Sequence, residues 1–158
     1  MRTAILDTNL LCLLVAGAEG GGRVPNHKRL QAYDDEAYSL LIDLISRFDR
    51  IVVCPQILAE SSSLLRLAPE PLKSRLTARL GAMLDQIVEL HIPVIQCVNY
   101  PEFDRLGVTD SVILAMLATD GVLLSADLDL YLAAGKRSSK VINFSHLRDG
   151  SIKLGVDI

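Results

Sequence analysis

The chain has 158 residues and a mass of 17.2 kDa, half of it hydrophobic and 22% charged, which suits one packed domain and excludes a disordered chain. Sixteen basic residues against 19 acidic ones give a formal net charge of −3, and this excludes a strongly basic protein that coats nucleic acid. A nucleic-acid enzyme survives the test, because a few acids gathered around metal ions would supply the whole deficit.

Residues 3–6 form a short apolar run that meets polar Asp7-Thr8-Asn9, and 10–16 read as helix. Arg2, the apolar run 10–15 and Ala16-Gly17-Ala18 together have the outline of a signal peptide. Asp7, Thr8 and Asn9 interrupt that outline where a secretory segment is uncharged. Residues 17–26, with four glycines and Pro25, read as a loop, and Gly20-Gly21-Gly22 lacks the spacing of a phosphate-cradling GxGxxG. Apolar residues recur at helical spacing over 35–48. The β-branched run 51–54 predicts a strand, with Pro55 opening a helix to Ala68. Pro69-Glu70-Pro71 breaks that helix, and an amphipathic pattern predicts another over 72–90. The second half repeats the alternation: strand 93–98, helix 109–119 capped by Thr109, strand 122–125, helix 129–134 and strand 141–144. Strands apolar throughout and separated by helices imply a parallel sheet covered on both faces, a three-layer α/β/α sandwich. Residues 1–148 read as the domain and 149–158 as its C-terminal extension.

Cys12, Cys54 and Cys97 are odd in number, far apart and set in apolar runs. They read as reduced, buried thiols of a cytoplasmic protein. No apolar stretch approaches the ~20 residues that span a bilayer, so no membrane partner is expected. His27, His91 and His146 lack zinc-ligand spacing.

In an open parallel sheet, ligands bind beyond the carboxyl ends of the strands. Asp7 follows the first strand, and Asp127 comes two residues after Ser125 at the exit of another. Glu60 lies a turn and a half into the helix after the strand ending at Cys54, and Asp110 opens the helix at Thr109. Four carboxylates from four segments can thus converge at one rim, beside the neutral Asn9 and Ser125. Carboxylates so gathered repel and raise one another's pKa, unless a hard cation such as Mg²⁺ or Mn²⁺ neutralises them. Such ions activate water and stabilise charge on a phosphoryl group, which suits phosphodiester hydrolysis. Each acid also has a plainer role open to it. Asp7 and Asp127 can cap helices, Asp110 can complement a helix dipole, Glu60 can be a solvated helix residue, and Asp129 competes with Asp127.

Ile5-Leu6-Asp7-Thr8-Asn9, Pro55-Gln56-Ile57-Leu58-Ala59-Glu60, Gly107-Val108-Thr109-Asp110-Ser111-Val112-Ile113 and Val122-Leu123-Leu124-Ser125-Ala126-Asp127-Leu128-Asp129-Leu130 together resemble the PIN-domain family of small α/β metal-dependent ribonucleases. Val141-Ile142-Asn143-Phe144 resembles the family's last strand, so the likeness spans Arg2 to about Leu147. The resemblance implies that Asp7, Glu60, Asp110 and Asp127 are both catalytic and metal-binding. It makes Asn9, Ser125 and Asp129 accessory residues, with Ser125 supporting the first aspartate. It further implies Mg²⁺ or Mn²⁺, RNA as substrate, a homodimer, and the role of toxin held inactive by an antitoxin protein. The alternative is a non-toxin or non-catalytic PIN-like module that binds RNA or another partner. Residues 17–36 exceed what a minimal member needs, and 151–158 extend past the last matched strand.

Lys136 and Arg137 are the expected RNA contacts, with Lys140, Lys28 and Arg29 as further cations; Arg66, Lys73, Arg75 and Arg79 read as a solvated helix face. With three Phe, four Tyr and no Trp, base stacking has little material. A haloacid-dehalogenase-type phosphotransferase would usually carry a second Asp where this chain has Asn9. A receiver-like phosphoacceptor would want paired acids early and a late-strand Lys. Without the four proposed acids, 16 basic residues would face 15 acidic ones, so one acidic rim accounts for the negative balance.

Overall fold

The structure is a computed structural model, and it describes residues 1–20 and 33–150. Among the described residues, five strands and seven α-helices follow one another along the chain. The strands are β1 (Thr3–Leu6), β2 (Arg50–Val53), β3 (Ile87–Glu89), β4 (Val122–Ser125) and β5 (Val141–Asn143). The helices are α1 (Thr8–Ala18), α2 (Asp35–Ile45), α3 (Pro55–Leu65), α4 (Leu72–Met83), α5 (Phe103–Met116), α6 (Leu128–Gly135) and α7 (Phe144–Arg148). The strands pair in the order β3-β2-β1-β4-β5, all parallel, with Ile5 opposite both Val52 and Leu123.

The fold class read from the sequence therefore stands: an α/β protein with a central parallel sheet in a three-layer sandwich. Right-handed crossovers put the helices between β1, β2 and β3 on one face, and α5 and α6 on the other. Chain direction across the sheet reverses between β1 and β4, which makes their carboxyl ends the natural binding position.

The centre of the molecule is β1 with α1. All four β1 residues are buried, as is every residue from Thr8 to Ala16. An all-round apolar helix of this kind must lie inside, and α1 packs against α2, α3 and α4. The segment with the outline of a signal peptide is thus the best-buried part of the described fold. Residues 21–32 and 151–158, including Lys28, Arg29, His27 and most of the glycine-rich run, lie outside the described residues.

Several boundaries differ from the sequence reading. The helix expected over 72–90 ends at Met83, passes through a 3-10 turn at Leu84–Gln86 and gives way to β3. Leu84, Ile87 and Leu90 keep a three-residue spacing that reads as helix, but the adjacent β-branched pair Ile87-Val88 finds a ladder beside β2. Residues 93–98 are correspondingly not a strand: Val94–Gln96 form a 3-10 turn. The place beside β2 is already filled by β3, whose ladder ends where the Leu90 N–H donates to the Val53 carbonyl. Pro93, with no N–H, could not extend it. The helix expected to reach Ala68 ends at Leu65. The helix expected from Thr109 begins earlier, at Phe103, and is broken at Gly107, where φ is 84° and ψ −174°. Thr109 is therefore not its cap. The last strand stops at Asn143, whose side chain accepts from the His146 N–H and opens α7, a helix that short length hid in the sequence.

Cys12, Cys54 and Cys97 are free and buried. Burial pushes the Cys12 thiol up to about 12, and its Sγ donates weakly to the Ser61 carbonyl at 3.8 Å. No helix among the described residues is long and apolar enough to cross a membrane.

At Gly17 the backbone of α1 lies close against α2. A Cβ there would stand 2.0 Å from Cδ2 and 2.4 Å from Cγ of Tyr38 on α2. Gly17→Ala is expected to lose stability on balance, by about 1–2 kcal/mol in urea denaturation, because overpacking costs more than the helix propensity gained. An unchanged midpoint would show that the two helices separate freely.

Candidate functional site

The loops following β1 and β4 meet over the carboxyl edge of the sheet. Asp7 leaves β1 in an extended conformation and caps α1, one carboxylate oxygen accepting from the Leu10 N–H at 2.8 Å. The other accepts from the Ser125 hydroxyl at 2.7 Å and from the Ala126 N–H at 2.8 Å. Asp7 is only 3% exposed. Burial raises its pKa, against the pull of the Ser125, Leu10 and Ala126 hydrogen bonds and with a further push from the Asp127 charge. Asp127 in turn caps α6, accepting from the Leu130 N–H at 3.0 Å.

Glu60 stands in the second turn of α3, half-buried, and accepts from the Thr8 hydroxyl at 3.1 Å. Asp110 lies just past the break at Gly107. The break sets the start of the second helical segment of α5 against the same edge, and its Gly107 carbonyl accepts from the buried Ser111 hydroxyl at 2.7 Å.

All four acids line a single cavity of about 340 Å³, together with Thr8, Asn9, the α5 stretch Leu106 to Asp110 and Leu130. Asp7, Glu60, Asp110, Asp127 and Asn9 are thus brought together. Ser125 lies beneath, behind Asp7. No Lys, Arg or His is among the described residues of the wall. Asn9 Oδ1 is buried without a hydrogen-bond partner, an acceptor open to a water, an ion or a ligand. Among the described residues, no three His, Cys, Asp or Glu side chains stand close enough to hold an ion directly. The acids ring the cavity instead of converging on one point.

Besides Ser125, three sequence candidates are not at the wall. Asp129 is 73% exposed in its side chain and pairs with Arg105 at 3.3 Å, so Asp127 is the acid of this pair that faces the cavity. Arg137 pairs with Glu102 at 2.6 Å and covers the ring of Tyr100. Lys136 is exposed at the end of α6. Thr8 and Thr109 are wall residues that the motif reading passed over; Thr8 was visible only as the middle of Asp7-Thr8-Asn9, and its link to Glu60 joins segments 52 residues apart. The chain matches no family model and no curated protein. The class that fold and site define is a doubly wound parallel α/β protein with an acidic cavity at its topological switch point.

Removing the Ser125 hydroxyl tests this arrangement. Its hydrogen bond favours ionised Asp7, so Ser125→Ala raises the Asp7 pKa further. The expected loss is about 1.5–3 kcal/mol at pH values where the carboxylate is ionised, shrinking as pH falls and the carboxyl takes up its proton. Urea denaturation at several pH values reads it; a loss that grows toward acid would contradict the assignment.

Proposed function

We propose that the protein is a divalent-metal-dependent endoribonuclease, hydrolysing RNA phosphodiester bonds at the cavity between the carboxyl ends of β1 and β4. The observation that carries this reading is the meeting of Asp7, Glu60, Asp110 and Asp127 in one cavity with no basic residue in its described wall. An all-oxygen donor set fits Mg²⁺ or Mn²⁺, and the orphaned Asn9 Oδ1 adds a neutral oxygen. The spread of the acids around the wall suits an ion that keeps several of its waters. When bound, such an ion supplies an activated water and charge neutralisation at a phosphoryl oxygen.

The chain's own groups have separate tasks in this reading. Asp7, Glu60, Asp110 and Asp127 would hold the ion, in large part through its bound waters. Ser125, Leu10 and Ala126 fix the orientation of Asp7, Thr8 fixes Glu60, and the N-terminus of α6 fixes Asp127. RNA as substrate, the toxin role with its antitoxin protein, a homodimer and a cytoplasmic setting rest on the resemblance of the sequence to PIN-domain ribonucleases. One observation favours a second reading, a non-catalytic interaction module: both oxygens of Asp7 and one of Asp127 already serve the fold as hydrogen-bond acceptors.

Incubation with structured RNAs separates the two. Cleavage in Mg²⁺ or Mn²⁺ is expected from the wild type, slower by about 100-fold or more in Asp7→Asn. The same ions should raise the unfolding free energy by about 2.7 kcal/mol at a hundredfold excess over their Kd. Neither cleavage nor stabilisation would leave the module as the answer. Growth arrest on expression in a bacterial host would support the toxin role, and harmless expression a non-toxin nuclease.

A further inference from the structure

A cavity walled by carboxylates repels the phosphates of an incoming RNA, so a cation has to hold the substrate backbone nearby. Among the described residues, the cations favoured by the sequence are poorly placed. Arg137 is taken up by Glu102 and Tyr100. With Lys136 it follows the last turn of α6, whereas the cavity sits at the first turn; the eight residues of that helix separate the two by about 12 Å. Arg75 and Arg79 share Glu19 just past the far end of α1, and Lys140 holds Asp120 ahead of β4.

Arg105 is placed differently. It directly precedes the wall residue Leu106, and its partner Asp129 lies between the wall residues Asp127 and Leu130. The Arg105–Asp129 pair thus bridges α5 and α6 at the rim of the cavity. It is also loosely held. A single contact of 3.3 Å joins side chains 53% and 73% exposed, and an ion pair so open to water is weak. An arginine fork matches a phosphodiester as well as it matches a carboxylate.

We propose that Arg105 is the residue that grips the phosphodiester backbone of the substrate, and that Asp129 is its resting partner, displaced when RNA arrives. This rests on the ribonuclease reading and adds to it the cation that the described cavity wall lacks. The exchange makes and breaks no covalent bond: one anion replaces another on the same guanidinium. In the resting protein Asp129 keeps Arg105 neutralised and turned along the rim.

The test uses a fluorescein-labelled single-stranded RNA, with binding measured in EDTA over a range of salt and cleavage in Mn²⁺. Arg105→Gln is expected to weaken binding about threefold at moderate salt and to lower the slope of log affinity against log salt by about 0.7. It should raise KM and leave kcat unchanged. Arg105→Lys should restore the salt slope, and Asp129→Asn should tighten binding. Unfolding midpoints should stay at the wild-type value in all three, since both positions are exposed. A wild-type salt slope and KM in Arg105→Gln would overturn the proposal and leave the ribonuclease reading intact. Unchanged binding in Asp129→Asn would overturn the displacement, and a wild type that neither binds nor cleaves RNA would sink both readings together.

Discussion

A carboxylate buried at the middle of a sheet is costly unless its oxygens are satisfied, and the hydrogen bonds of Asp7 answer that cost from three segments at once. The Leu10 N–H comes from the helix that follows β1, the Ser125 hydroxyl from the end of β4, and the Ala126 N–H from the turn beyond it. The Asp7 N–H donates back to the Leu124 carbonyl, carrying the β1–β4 ladder one residue past the strand. The seam between β1 and β4 is where the chain's course across the sheet reverses, so this side chain adds to the β1–β4 ladder in joining the two halves of the fold. The joining and the cavity share an origin: whatever keeps Asp7 in place also presents it to the space above.

Charge is sorted along the molecule in a way that its net value hides. Glu19 draws Arg75 and Arg79 to the foot of α1, Asp49 accepts from the Arg2 backbone, and Asp120 holds Lys140. These contacts lie toward the amino ends of the strands. At the carboxyl ends, the described cavity wall is acidic, with its raised Asp7 pKa set first by burial and only last by the Asp127 charge.

Much of this was legible in the sequence because β1, β4 and their following acids are local patterns. An apolar run meeting Asp7-Thr8-Asn9, or Val122 to Ser125 meeting Asp127, states both the strand and what stands at its end. Glu60 and Asp110 were placed by the position of a strand end and a helix start, and both reached the cavity wall even though the start at Thr109 was misread. The failures are of another kind. Whether Ile87-Val88 or Val94-Ile95 occupies the place beside β2 is decided by competition for one ladder, which no window of sequence contains. Asp127 and Asp129 have the same local claim, and only the fold separates them, by setting Asp127 in the cavity wall and Asp129 outward against Arg105. Arg137 looked available because neither Glu102 nor Tyr100 is near it along the chain.

The sheet ends on both sides in strands of three residues, β3 and β5. A strand so short offers another chain only a few main-chain hydrogen bonds, and Pro93 stands shortly beyond the first of them. Edge-to-edge growth of the sheet, the common route to aggregates in β-containing proteins, is therefore disfavoured at both flanks of the described sheet. Most of the described surface that a docking protein would meet is accordingly presented by helices and the turns between them.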